Sequence, residues 1–175
     1  MNNKIPKYPL FVYLGGFMSG SKLKECLEWR YKIRKYYENY KGLRYEIEWL
    51  DPFNDYEINS IDEKGLKSNI SSNAIFEGDL LSIRKSDVII ANINTFGEKR
   101  EMVGTLFELG YAKAKEKPYI IIADETKIEL AKNHPFLNKA IGIYKNVDEL
   151  IESKILNFLF KRINPANYEI NKEKL

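Results

Sequence analysis

Two carboxylates and one glycine-rich loop carry the chemistry open to this chain. Cys26 is the only cysteine and His134 the only histidine. An internal disulfide, a Cys-based zinc site and any reaction needing two imidazoles are therefore excluded. Catalysis must rest on carboxylates, hydroxyls or lysines. Glu108 stands in Gly104-Thr105-Leu106-Phe107-Glu108-Leu109-Gly110-Tyr111-Ala112, a run of small and apolar residues that follows a strand pattern and opens a helix. A lone acid in or near the first helical turn is available as a nucleophile or a base. The same spacing, Thr105-x-x-Glu108, is also a capping box, in which the glutamate folds back on the Thr105 backbone; spacing alone does not choose between the two. Asp79 lies four residues after Ile75 and four before Ile83, on the apolar side of its helix. A carboxylate there is costly unless something satisfies it. Gly78 beside it clears space; the bland alternative is a partly exposed aspartate at the edge of that face. The loop Gly15-Gly16-Phe17-Met18-Ser19-Gly20-Ser21 fits neither G-x-G-x-x-G nor the P-loop spacing. Turn chemistry explains its glycines, with Ser21 as N-cap. The functional alternative is a small ligand near its backbone, with Ser19, Ser21 and the helix N-terminus holding a hydroxyl or a phosphate.

These residues need elements to position them. Segments 10–14, 45–50, 88–93, 119–123 and 140–144 read as strands. The second alternates, while 88–93 and 119–123 are almost wholly apolar, as expected of parallel strands covered on both faces. Helical spacing starts at Ser21, with Leu23, Cys26, Leu27, Ile33 and Tyr37, and Gly42 closes it. A second helix starts at Ala74 and carries Ile75, Phe76, Leu80 and Ile83 inward. A third runs from Gly104 through Lys115. The last starts at Asn146, with Glu149 placed for a capping box and Leu150, Ile151, Ile155, Phe158 and Leu159 as one apolar stripe. Segment 54–73 is polar without a clear period and reads as a long loop with one short helix. His134, before a proline, reads as a loop residue.

Strands alternating with helices give an α/β domain with a parallel sheet of about five strands. Residues 1–164 are expected to form that single domain, followed by a polar tail at 165–175. Ligands of such sheets bind beyond the carboxyl ends of the strands, at the topological switch point. That rule selects Tyr13 to Ser21, Asp51 to Phe53, Asn92 to Gly104 and Asp124-Glu125. Gly15, Gly16, Phe17, Asp51, Asn92, Asn94, Met102, Gly104 and Thr105 thus join Asp79 and Glu108 as candidate site residues.

Composition bounds the partners. The 175 residues are 44% hydrophobic and 30% charged, and 28 Lys plus Arg against 25 Asp plus Glu leave a net charge of +3. That excess is too small to argue for nucleic acid or a membrane surface. No apolar run approaches the roughly 20 residues of a membrane helix, and the first residues lack the apolar stretch of a signal peptide. The expectation is a cytoplasmic protein with no metal and no cofactor, bound to neither nucleic acid nor membrane.

Together these segments resemble the nucleoside 2-deoxyribosyltransferase family. The resemblance is carried by Tyr13-Leu14-Gly15-Gly16, and by Asp79 with Leu80 and Ile83 ahead of Ser86-Asp87-Val88-Ile89-Ile90-Ala91-Asn92. Most specific is Gly104-Thr105-x-x-Glu108-x-Gly110-Tyr111-Ala112, followed by Lys117-Pro118. Order and spacing agree from about Phe11 to Leu150. The resemblance implies a flavodoxin-like (Rossmann-like) five-stranded parallel sheet with helices on both faces. It also implies a retaining transfer of 2-deoxyribose between nucleobases through a covalent glycosyl-glutamate. By position Glu108 matches the family's nucleophile, Tyr13 the tyrosine that positions it, and Asp79 an acid at the substrate base and sugar. The residues suit that chemistry. A carboxylate beside C1′ stabilises an oxocarbenium-like state and can trap it. The helix N-terminus would help keep Glu108 ionised, and Asp79 is fit to protonate the leaving base.

One position departs from the pattern. Family members often carry an acid that helps recognise the base where Met102 stands here; Glu101 beside it points elsewhere in that register. Base preference and the choice between transfer and hydrolysis stay open at this point. Related hydrolases act on nucleoside 5′-monophosphates, and Ser19, Ser21 and Lys22 are the donors a phosphate would need. A third reading is a nucleotide-binding or sensing module without chemistry; Met102 leans toward it, while Tyr13, Asp79 and Glu108 together speak against it, because a binder needs no nucleophile. Relatives assemble as dimers or larger oligomers, with a neighbour's C-terminal region completing the site; Asn167 and Tyr168 are the candidates for that contribution here. The implied partners are a nucleoside or nucleotide, a free nucleobase and further copies of the chain.

Overall fold

The computed structural model describes residues 9–18, 23–40, 46–55, 58–62, 65–97, 99 and 102–163. Ser19, Ser21, Lys22, Glu101, Asn167, Tyr168 and the 165–175 tail lie outside them. Five strands form one all-parallel sheet: β1 (Leu10–Gly16), β2 (Ile47–Leu50), β5 (Val88–Asn92), β6 (Tyr119–Ile122) and β7 (Gly142–Tyr144), in the spatial order β2-β1-β5-β6-β7. Chain order within the sheet is thus 2-1-3-4-5, the flavodoxin-like arrangement, and the switch point lies between β1 and β5. The expected fold class is the observed one.

Strand alternation sorts the core into two layers. Tyr13, Ile89, Ala91, Tyr119 and Ile121 face one side, where they meet Ile83 of α3 (Ser72–Lys85), Leu109 and Ala112 of α4 (Val103–Ala114) and Ala131 of α5 (Ile128–Asn133). Val12, Leu14, Val88, Ile90, Ile120 and Ile122 face the other. There they meet Trp29, Ile33 and Tyr37 of α1 (Leu23–Asn39), Leu150 of α6 (Val147–Glu152) and Leu156 and Phe160 of α7 (Ile155–Ile163).

Three expectations are corrected. Segment 54–73 is not a plain loop. After the short α2 (Pro52–Asp55), β3 (Ile58–Asp62) and β4 (Gly65–Ser68) form an antiparallel hairpin. A register shift between Ile58 and Ser60 breaks the alternation that would have announced it. The final helix is two helices. Lys154 turns the chain through a left-handed φ of 55°, and Ser153 Oγ accepts from Ile155 N at 3.2 Å to restart it. The break shifts the helical phase, so Leu156 and Phe160 are buried while Phe158 is exposed. Phe76, expected inward, is 44% exposed on α3. The Asn146 cap is as expected, its side chain accepting from Glu149 N at 3.0 Å.

Candidate active site

The site forms where β1 ends. Gly15 is in phase with Tyr13, so its missing side chain would point toward α4. A Cβ built there would stand 2.9 Å from Glu108 Oε2 and 3.3 Å from the Tyr13 ring. The carboxylate therefore lies directly against the strand backbone, an approach only glycine permits. Tyr13, fully buried behind it, favours the ionised form of the Glu108 carboxyl.

Glu108 reaches this position because α4 starts earlier than the sequence suggested. Met102 is the N-cap, without a side-chain capping bond, and Val103 is the first helical residue. Thr105 is thus inside the helix, which rules out the capping box. Glu108 sits in the second turn, three residues from Thr105 and on the same inward face as Leu109 and Ala112. Asp79 comes from α3, whose N-cap Ser71 accepts from Ala74 N at 3.2 Å. It is buried, in phase with Ile83, so it is not an aspartate at the rim of the helix face.

The electrostatics differ from the expectation that a helix N-terminus keeps Glu108 ionised. Burial, and then the Asp79 charge, push the Glu108 carboxyl up to about 8, against the Tyr13 hydroxyl and the Arg30 charge. The second turn lies beyond the reach of the helix dipole, and desolvation wins. Near neutral pH the proton therefore rests on Glu108, beside the Asp79 charge.

A cavity of about 310 Å³ opens onto this pair. Of the expected residues it brings together Gly16, Phe17, Asp79, Met102, Gly104, Thr105 and Glu108. It adds Met18 and Val103, from segments the strand-end rule selected, and Ser72 and Ile75, which sequence reasoning missed; for Ile75 the signal was present, one turn before Asp79 on the same helix face. Gly15 and Tyr13 form the support behind Glu108. The wall formed by Phe17, Met18, Ile75, Met102 and Val103 is apolar.

Three candidates lie elsewhere. Asp51 is fully buried in an ion pair with Arg30, Nε to Oδ1 at 3.3 Å, and is also bonded by Arg34. Asn92 and Asn94 fall on the opposite face of the sheet from Glu108. The Asn92 side chain accepts from Asn94 N at 3.0 Å, and that of Asn94 from Asp124 N at 2.7 Å, tying the ends of β5 and β6 together. Among the described residues no group of three or more His, Cys, Asp or Glu is placed to hold a metal ion, and no helix is long and apolar enough to cross a membrane.

Comparison with known proteins places the chain in a family and agrees with its fold. A family model described as nucleoside 2-deoxyribosyltransferase matches residues 12–140, which include Tyr13, Asp79 and Glu108. A Bacillus subtilis (strain 168) protein, Uncharacterized protein YtoQ, is 29% identical over 164 residues, 86% of this chain and 96% of that one. Among solved structures, a 2-desoxiribosyltransferase from Leishmania mexicana superposes with a TM-score of 0.50 at 18% identity, covering 87% of this chain and 98% of its own. The CMP N-glycosidase BcmB of Clostridium botulinum does so with 0.51 at 17%, covering 83% and 98%. At such identities the likeness is one of fold.

Proposed function

Because this chain belongs to the nucleoside 2-deoxyribosyltransferase family, we propose that it transfers 2-deoxyribose between nucleobases with retention, through a covalent glycosyl-Glu108 intermediate. The observation that carries the reading is the Glu108 carboxylate, laid against Gly15 with the Tyr13 ring behind and Asp79 beside it on an open cavity.

In this reading the Tyr13 hydroxyl occupies one carboxylate oxygen and leaves the other to attack C1′. The C1′–N bond breaks as the ester to Glu108 forms, and the departing base takes a proton from Asp79. For these roles the proton must rest on Asp79 when Glu108 attacks, and a base nitrogen accepting a hydrogen bond from Asp79 draws it there. A second base then attacks C1′ from the face the first one left. The ester breaks, Glu108 is released, and the proton lost by the incoming base returns to Asp79. Two inversions give net retention. Gly16, Phe17, Gly104 and Thr105 border the bound nucleoside.

Met102 favours a second reading. Without an acid at the base-recognition position, water replaces the acceptor base and the protein is an N-glycoside hydrolase, with (deoxy)nucleoside 5′-monophosphates as substrates. A non-catalytic nucleotide sensor is the remaining alternative. Incubation with deoxyadenosine or thymidine, with and without a second free base, separates the three by chromatography. New nucleoside formed only with acceptor supports transfer. Free base and sugar without acceptor mean hydrolysis. Binding of deoxynucleosides or their monophosphates without product means a sensor and ends the catalytic reading.

The proposal includes a homo-oligomer working in the cytoplasm. α4 is apolar on both sides: Thr105, Leu109 and Ala112 point inward, while Val103, Leu106 and Phe107 are exposed. The Phe107 ring lies 5.4 Å from that of Phe76 on α3, and Val103 also borders the cavity. A helix apolar all round is normally covered, and a second copy on this face would wall the cavity mouth.

A further inference from the structure

Arg30 is 1% exposed, and its partners form a cage. Nη1 donates to Cys26 O at 2.6 Å and Nη2 to Leu14 O at 3.4 Å. Nε pairs with Asp51 Oδ1 at 3.3 Å, and the guanidinium lies between the rings of Trp29 at 4.5 Å and Phe53 at 4.8 Å. Asp51 is fixed in turn by Arg34 and by Phe53 N, which donates to Oδ1 at 3.0 Å.

A buried ion pair is a weak source of stability, since desolvation offsets most of its Coulomb energy. Its position is informative. A Cβ on Gly16 would meet Arg30 Nη2 at 3.3 Å and Trp29 at 3.2 Å, just as a Cβ on Gly15 would meet the Glu108 carboxylate. Two successive residues without side chains therefore bring a buried cation and a partly buried carboxylate against the same short piece of β1, one from each face. The groups acting electrostatically on Glu108 are Asp79 from α3, Tyr13 from β1 and, through the strand, Arg30 from α1; those acting on Arg30 are Asp51, Cys26, Tyr13 and Glu108.

We propose that Arg30 is a positioning residue for Glu108, a buried positive charge behind the Gly15–Gly16 edge that steadies the ionised carboxylate, with Asp51 setting how much of that charge Glu108 feels. The inference rests on the catalytic reading of Glu108, yet its test does not need turnover. Carboxyl-labelled glutamate lets NMR follow the Glu108 titration directly in the intact protein, beside the pH profile of kcat/KM.

Arg30→Gln removes the cation and should move the Glu108 midpoint upward. Asp51→Asn unmasks the cation and should move it downward. Each shift is on the order of one pH unit, or roughly tenfold in kcat/KM on the acid limb. Arg30→Lys keeps the charge and should restore a midpoint near that of the wild type. Shifts of the same sign in Arg30→Gln and Asp51→Asn, or no shift in either while near-UV circular dichroism shows a native fold, overturn the proposal. If Arg30→Gln does not fold, Asp51→Asn decides: a downward move supports the proposal and an unchanged or upward midpoint overturns it. If the midpoints move as expected but no glycosyl transfer or hydrolysis is found, the catalytic reading fails and the electrostatic coupling stands.

Discussion

Replacing Glu108 with glutamine separates what this carboxyl costs the fold from what it does. Burial and the Asp79 charge hold its folded value at about 8, whereas an unperturbed glutamate releases its proton near 4.5. The folded protein therefore holds this proton more tightly than the unfolded chain. The stability that comes with it is complete below the unfolded value and is lost as pH rises through the folded one. Each pKa unit is worth about 1.4 kcal/mol. The interval from 4.5 to about 8 thus sets the loss at no more than about 5 kcal/mol. Glutamine keeps the shape and has no proton to lose. Glu108→Gln should match the wild type near about pH 4, gain on it through neutral pH, and exceed it by up to that ceiling near about pH 9.

Urea denaturation of both proteins across that range measures the difference, and proton-binding groups common to both largely cancel. Turnover should vanish at every pH. A capping glutamate behaves otherwise: its loss would destabilise by at most about 1 kcal/mol, at all pH values, and spare activity. A stability difference independent of pH, or a glutamine variant weaker than wild type in alkali, refutes the reasoning.

Asp79→Asn removes the charge that opposes ionisation of Glu108, so the acid limb of kcat/KM should move to lower pH while kcat falls roughly 10²- to 10⁴-fold through loss of the proton donor. Tyr13→Phe removes the hydroxyl that favours the ionised form; the acid limb should move up, and kcat should drop about 10- to 100-fold, the scale of one charge-assisted bond made as Glu108 attacks. Gly15→Ala places a methyl 2.9 Å from Glu108 Oε2; displacing the carboxylate should lower kcat on the order of 100-fold with the melting temperature nearly unchanged. Phe107→Glu should convert an oligomer to a monomer by light scattering; a wild type already monomeric at high concentration removes the assembly from the proposal.

Legibility in the sequence followed periodicity. The β1, β5 and β6 runs are continuous and apolar, and the sheet could be read from them. Asp79 and Glu108 were visible because a carboxylate within an apolar helical face breaks a strong pattern. Where the pattern was interrupted, reading failed: the irregular pairing between Ile58 and Ser60 hid a hairpin, and the left-handed turn at Lys154 split a stripe that looked continuous. Asn92 and Asn94 were assigned to the site because they end the right strand. Alternation along β5 already excluded them, since Ile89 and Ala91 face α4 and the residue after Ala91 must face away.

The ion pair behind the site was harder to foresee, because its members are far apart in sequence and each has an ordinary alternative role. Arg30 looked like a helix residue burying its stem, and Asp51 like an acid at a strand end. What unites them with Glu108 is the pair Gly15-Gly16. Read as a turn, the two glycines are interchangeable. In the folded sheet they are not: Gly15 makes room for a carboxylate on one face and Gly16 for a guanidinium on the other. A methyl at Gly15 strikes the acid itself, whereas one at Gly16 strikes the far end of the arginine, Trp29 and the Asn92 carbonyl. Gly15→Ala should therefore alter kcat directly, while Gly16→Ala should act through the Glu108 titration and the stability of the α1 packing. That asymmetry makes the second glycine part of the electrostatics of the site.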